Sequence, residues 1–286
     1  MNKFITTNTL FLIFMSTIWV NGMKLTNDGE SSYKILSMPI VSPSVTRIKI
    51  EECGEALVDL KSVGNKRILA ASDFDVIYNA GHADCSKVRT GLYKRLLLLL
   101  DYLPENVGIA VFEGFRPLWK QKEYFIKKFK ELSEASKCKN SGDDFLEAMY
   151  VETCKLVSPF IDNVPVHCTG AAIDIMLFRY DEGTPVKLLN LGKFGVIFGP
   201  NDQAKTLADN ISPEQLSNRK MLLDAAAKAG LINYGYEWWH YSYGDRAWAY
   251  VENRENAIYG IATDKSTSEQ ISKREFFDSM RKELKL

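Results

Sequence analysis

The chain has 286 residues, is 46% hydrophobic and 25% charged, and carries Lys+Arg and Asp+Glu in equal number at 36 each. Those proportions belong to a globular protein with a sizeable core and exclude a largely disordered, collagen-like or coiled-coil chain. The zero formal net charge provides no global field toward nucleic acid or an acidic membrane, so no nucleic-acid partner is expected.

Residues 1–22 read as a secretory signal. Lys3 supplies a cationic start, residues 10–20 an apolar run, and Val20 and Gly22 the positions −3 and −1 of a cleavage site. The run is about half the ~20 apolar residues that cross a bilayer. The expectation is an exported protein, periplasmic or secreted, with no stable membrane insertion once the signal is cleaved. Residues 23–45 follow as a flexible leader, and residues 46–286 as one domain. Export permits disulfides among the five cysteines, and the sequence-local pairings are Cys53–Cys85 and Cys138–Cys154. No C-x-x-C pair occurs, so neither a cysteine zinc knuckle nor a redox motif is expected.

The first well-patterned helix spans residues 86–102. Its five leucines at 96–100 are flanked by Lys94, Arg95 and Asp101, which makes it a buried helix and not a membrane span. Residues 107–112 are apolar and rich in β-branched side chains, the pattern of a buried strand. After Glu113-Gly114-Phe115-Arg116-Pro117 a helix begins at Pro117, since proline is favoured at the first helical position. Residues 145–157 suggest a further short helix and residues 174–178 a second buried strand. Ser212-Pro213-Glu214-Gln215 is a capping box that opens a helix, and Gly230 is its natural stop. Residues 234–243 hold six aromatics in ten positions, which favours a strand. An amphipathic helix over 268–284 closes the chain.

Histidine is scarce, with three in all, and two of them keep unusual company. His167 opens His167-Cys168-Thr169-Gly170-Ala171-Ala172-Ile173-Asp174, and His240 ends Glu237-Trp238-Trp239-His240. Imidazole and carboxylate are common zinc ligands, and a catalytic zinc keeps three protein ligands plus a water. His167, Asp174 and His240 fill that quota and leave Glu237 as a general base. The spacing sets a condition: 167 and 174 would point to opposite faces of an unbroken strand, as would 237 and 240. A turn or bulge is therefore required in both segments. His82, in a glycine turn, reads as a satisfied surface or core residue.

Together, E-G-F-R-P, H-x-x-G-x-A-x-D and E-W-W-H resemble the D-alanyl-D-alanine dipeptidases of the zinc-dependent M15 peptidases, whose relatives include D,D-carboxypeptidases and peptidoglycan endopeptidases. The likeness runs from about residue 59 to residue 250. It implies a zinc D,D-peptidase domain of α+β class over 46–286, a small antiparallel sheet with helices packed around a zinc site. One Zn2+ per chain would be held by His167, Asp174 and His240. Glu237 would activate the zinc-bound water, and Arg116 would steady the transition state. The implied substrate is a D-amino-acid dipeptide or a peptidoglycan-derived peptide.

The chain departs from that family in two places. Pro165 stands where the dipeptidases usually have serine. The segment Leu191-Gly192-Lys193-Phe194-Gly195 lacks the aspartate that holds the substrate's free amino group, a role left to Asp202 or Asp209. This favours, as an alternative, a D,D-carboxypeptidase or endopeptidase acting on peptidoglycan stem peptides. A non-catalytic zinc-bearing binding module, with a site resembling that of hedgehog signalling domains, is the second alternative. The presence of Glu237 and Arg116 argues against it.

Overall fold

The structure is a computed structural model that describes residues 33–70, 82–136, 142–181, 184–194, 203–262 and 271–285. Its first part runs β1 (Ile35–Leu36), α1 (Pro43–Thr46), β2 (Lys49–Ile50), β3 (Leu57–Asp59), β4 (Ile68–Ala70), β5 (Lys87–Arg89) and α2 (Thr90–Tyr102). The middle holds β6 (Val107–Glu113), α3 (Leu118–Ala135), α4 (Asp143–Cys154), β7 (Ala172–Asp181) and β8 (Thr184–Leu188). The last part comprises α5 (Pro213–Lys228), β9 (Ile232–Tyr234), β10 (Glu237–Ser242), α6 (Arg246–Val251), β11 (Asn256–Ala257) and α7 (Lys273–Leu284).

The expected α+β class holds, but the sheet is larger than expected. Seven strands pair in the order β1-β9-β10-β7-β6-β4, with β8 added on β7. The centre, from β9 through β10 and β7 to β6, is antiparallel, whereas β1 on β9 and β4 on β6 are parallel. All seven residues of β6 are buried, as suits a strand covered on both faces. Leu92, Leu96, Leu99 and Leu100 of α2 bury at helical spacing, while Leu98 between them stays 40% exposed. Each such leucine contributes roughly 1.5–3 kcal/mol through burial. They join Leu222, Leu223 and Ala226 of α5 and the sheet's Ile109, Ile173 and Leu177 in the main core. A second, aromatic core joins α3, α4 and α7 through Phe125, Phe129, Phe145 and Phe276.

Several sequence expectations shift. Residues 1–32, which contain the expected signal, lie outside the described residues. The expected leader carries β1 and α1, because buried Leu36 and Val45 pack with Ile232 and Ala247. The helix expected from residue 86 begins at Thr90, since Lys87–Arg89 pairs with β3 instead. The aromatic run 234–243 is two strands, broken by a turn at Gly235 whose amide donates to the Leu36 carbonyl. Cys53, Cys85, Cys154 and Cys168 are free thiols, so the expected Cys53–Cys85 pairing does not form. Cys53 sits against Ile258 and Cys85 against Gly114, in separate neighbourhoods, and Cys138 lies outside the described residues. Among those residues no helix is long and apolar enough to cross a membrane.

Candidate metal centre

Three adjacent strands deliver most of the site. Glu113 of β6 lies opposite Asp174 of β7, and Asp174 lies opposite His240 of β10. Residues directly opposite in antiparallel strands share a face, so the three side chains converge. His167 arrives from a 3-10 turn over Val166–Thr169 that ends at Gly170, with φ 69°. This is the turn that the odd spacing of 167 and 174 requires. A Cβ at Gly170 would also lie 2.5 Å from Leu57 Cδ2, so glycine is needed for both conformation and space. A register shift of β10 on β9 between Glu237 and Tyr241 meets the corresponding condition at 237 and 240.

The ligand atoms are close and buried. His240 Nδ1 lies 3.1 Å from Asp174 Oδ1 and 3.2 Å from His167 Nε2. His167 Nε2 is 3.5 Å from the same carboxylate oxygen. The three residues are only 3–6% exposed. Such a cluster of nitrogen and oxygen ligand atoms fits a divalent metal of zinc type. The His167 ring is oriented from behind, with Nδ1 2.8 Å from the Gly114 carbonyl, the second contact expected of a ligating histidine. Cys168, beside it, is fully buried, and burial pushes its thiol up to about 12. It therefore remains a neutral core side chain.

Burial works against the charge on Asp174, but His167 and His240 outweigh it and hold the carboxyl well below the usual range. Glu237 behaves oppositely. Its Oε2 lies 3.8 Å from His240 Nδ1, and its side chain keeps 24% exposure toward the cleft. Desolvation outweighs the attraction of His240 and Arg116, and with the charge of Asp174 it brings the carboxyl up to about 7.

Arg116 is fixed on the same cleft. Its backbone amide donates to the His167 carbonyl at 3.0 Å. Its Nε donates to Glu113 Oε1 at 2.8 Å, its Nη2 to Glu113 Oε2 and its Nη1 to Gln121 Oε1 at 2.7 Å. Tyr124 lies under the guanidinium, 5.0 Å away. Burial pushes Glu113 up, but the charge and hydrogen bonds of Arg116, with a further bond from His82, bring it down to about 2. His82 Nε2 lies 3.1 Å from Glu113 Oε1. Sequence reasoning gave no role to His82, Gln121, Tyr124 or Glu113. Only Glu113, within the arginine motif, carried a usable signal.

All five expected site residues line one cleft of about 410 Å3, which extends along α3 past Lys127 and Lys128 to Glu131. The carboxylates on it among the described residues are Glu113, Glu131, Asp174 and Glu237. Asp209 is exposed and not among its lining residues, and Asp202 lies outside the described residues. Phe194, in the segment lacking the aspartate, stacks on Phe112 at 4.2 Å and packs on Trp239, one residue from His240.

The family model for D-Ala-D-Ala dipeptidases matches residues 148–258, a stretch containing His167, Asp174, Glu237 and His240. The chain is 28% identical over 228 residues to a D-alanyl-D-alanine dipeptidase of Synechocystis sp., covering 73% of this chain and 90% of that protein. It is 32% identical over 75 residues to a D-alanyl-D-alanine dipeptidase of Enterococcus faecium, covering 26% of this chain and 35% of that one.

Proposed function

Because the chain belongs to the D-alanyl-D-alanine dipeptidase family of peptidases, we propose that it is an exported zinc dipeptidase hydrolysing D-Ala-D-Ala or related cell-wall peptides. His167, Asp174 and His240 would hold the metal, Glu237 would be the general base and Arg116 the oxyanion partner. The observation that carries this reading is the convergence of His167 Nε2, His240 Nδ1 and Asp174 Oδ1 within 3.5 Å of one another, with Glu237 and Arg116 on the same cleft.

Bound zinc would polarise the scissile carbonyl and acidify a water. Glu237, on the cleft with its Oε2 3.8 Å from His240 Nδ1, is suited to take the proton of the attacking water and return it to the leaving amine. Arg116 keeps its charge at any working pH and, clamped by Glu113, offers a fixed cation to the oxygen that becomes negative. Residues 1–22 support export to the periplasm or beyond. A positioned base and arginine have no use in a module that only binds metal, which favours turnover.

One observation favours a second reading, a D,D-carboxypeptidase or endopeptidase. A dipeptide brings a free ammonium near the scissile bond. Among the described carboxylates of the cleft, Glu113 is committed to Arg116, Glu131 to Lys128, and Asp174 and Glu237 to the centre. A substrate with a blocked amino terminus avoids that demand.

The reading is tested by metal content and turnover together. His167→Ala and His240→Ala are expected to lose both zinc and activity. Glu237→Ala is expected to retain zinc while turnover falls roughly 100- to 10,000-fold. Stoichiometric zinc in either histidine variant, or full activity without Glu237, would refute the assignment.

A further inference from the structure

Two buried polar atoms on one side of β10 lack hydrogen-bond partners among the described residues. His240 turns Nδ1 toward Asp174 and His167, while its Nε2 is buried and unmatched. Asp245 is 1% exposed. Its Oδ1 caps α6, accepting from the Trp248 amide at 2.8 Å and from Ser242 Oγ at 3.2 Å. Its Oδ2 is buried and unmatched as well.

The strand places the two residues near each other. Ser242 and His240 hold regular register against Ala172 and Asp174, so their side chains share a face of β10. Ser242 lies about 7 Å along the strand from His240, and its bond to Oδ1 holds the Asp245 carboxylate on that face. Burial pushes the Asp245 carboxyl up, and the Trp248 amide, His240, Ser242 and His167 offset this only in part. His240 is thus within electrostatic reach of a carboxylate short of partners. The chemistry is complementary: an imidazole that ligates through Nδ1 carries its proton on Nε2, and ligating histidines generally give that proton to a carboxylate, carbonyl or water. His167 already does so with Gly114.

We infer that Asp245 is a positioning residue of the metal centre: its unmatched oxygen, beyond direct hydrogen-bond distance of His240 Nε2, takes up that Nε2–H through a bridging water and so fixes the tautomer that presents Nδ1 to the ion. This rests on the metal-centre reading above. Trp248 and Ser242 use only one oxygen of Asp245, and the second oxygen is the one assigned to His240.

Asp245→Asn separates the two duties of this side chain. Asparagine caps helices about as well as aspartate and keeps an oxygen for Trp248 and Ser242, but replaces Oδ2 with a donor. Zinc affinity of wild type and variant would be measured by competition with a chromophoric chelator, alongside the thermal midpoints of the zinc-free proteins. The expected result is unchanged midpoints and zinc bound roughly 10- to 100-fold more weakly by the variant. Equal affinities would overturn the role of Asp245 and leave the metal centre standing. A wild type that takes up no zinc would overturn both. If the variant fails to fold, nitrogen-15 NMR of the zinc-loaded wild type decides the matter, since the chain has only three histidines. An exchange-protected proton on His240 Nε2 is expected, and a ring protonated on Nδ1 instead would overturn the inference.

Discussion

Arg116 reaches the cleft with its guanidinium already fixed, because Glu113 accepts from Nε and Nη2 while Gln121 accepts from Nη1. That preorganisation is what an oxyanion partner needs, since no side-chain entropy is then lost as charge develops. Arg116→Ala should therefore lower kcat roughly 100- to 1000-fold without releasing zinc, and unchanged kcat would return Arg116 to a structural role. Glu113 makes a separate prediction about stability. Its carboxyl falls from the ordinary 4.5 to about 2 in the folded protein. A carboxyl lowered on folding stabilises the native state above its unfolded value, and this contribution disappears as pH falls through the folded value. The contribution is on the order of 3 kcal/mol. The difference in denaturant stability between wild type and Glu113→Gln should thus be largest above pH 4.5 and shrink toward pH 2. A constant difference across that range would contradict the assignment.

At the scale of elements, the turn after His167 does the most to assemble the centre. Gly170 adopts φ 69° with no room for a Cβ beside Leu57. Gly170→Ala should cost at least about 1–2 kcal/mol for the left-handed conformation alone and weaken zinc binding by displacing His167; denaturation and metal titration check both. A variant with wild-type stability would contradict the steric argument. Elements of this kind were legible in the sequence where their cause is local. The odd spacings at 167/174 and 237/240 demanded a turn and a bulge. The box at 212–215 closes through both Ser212–Gln215 bonds. The elements that escaped were decided by distant partners. Lys87–Arg89 carries a helix-like pattern but is drawn into pairing with β3, and β1 is two residues long and meaningful only beside β9. His82 gave no sign of its role, because its partner Glu113 lies 31 residues away.

For the whole molecule, the candidate site depends on a sheet that gathers residues far apart in the chain. His167 and His240 are separated by 73 residues and meet only because β7 and β10 are neighbours beside β6. The motif residues were recognisable beforehand as a resemblance, and the sheet order explains why they form one site. Pattern alone could not place the edge strands, since parallel pairing at the two ends joins segments with no local signal for it. Substrate choice also belongs to this scale, because the cleft continues along α3 beyond the centre. The most direct measurement is the release of free D-alanine from D-Ala-D-Ala and, separately, from its N-acetylated form by the zinc-loaded protein, with Glu237→Ala as control. Release from the free dipeptide, abolished in the control, is the result predicted for the dipeptidase. Release from the blocked form alone would contradict it in favour of a carboxypeptidase, and release from neither would contradict hydrolysis of D-Ala-D-Ala altogether.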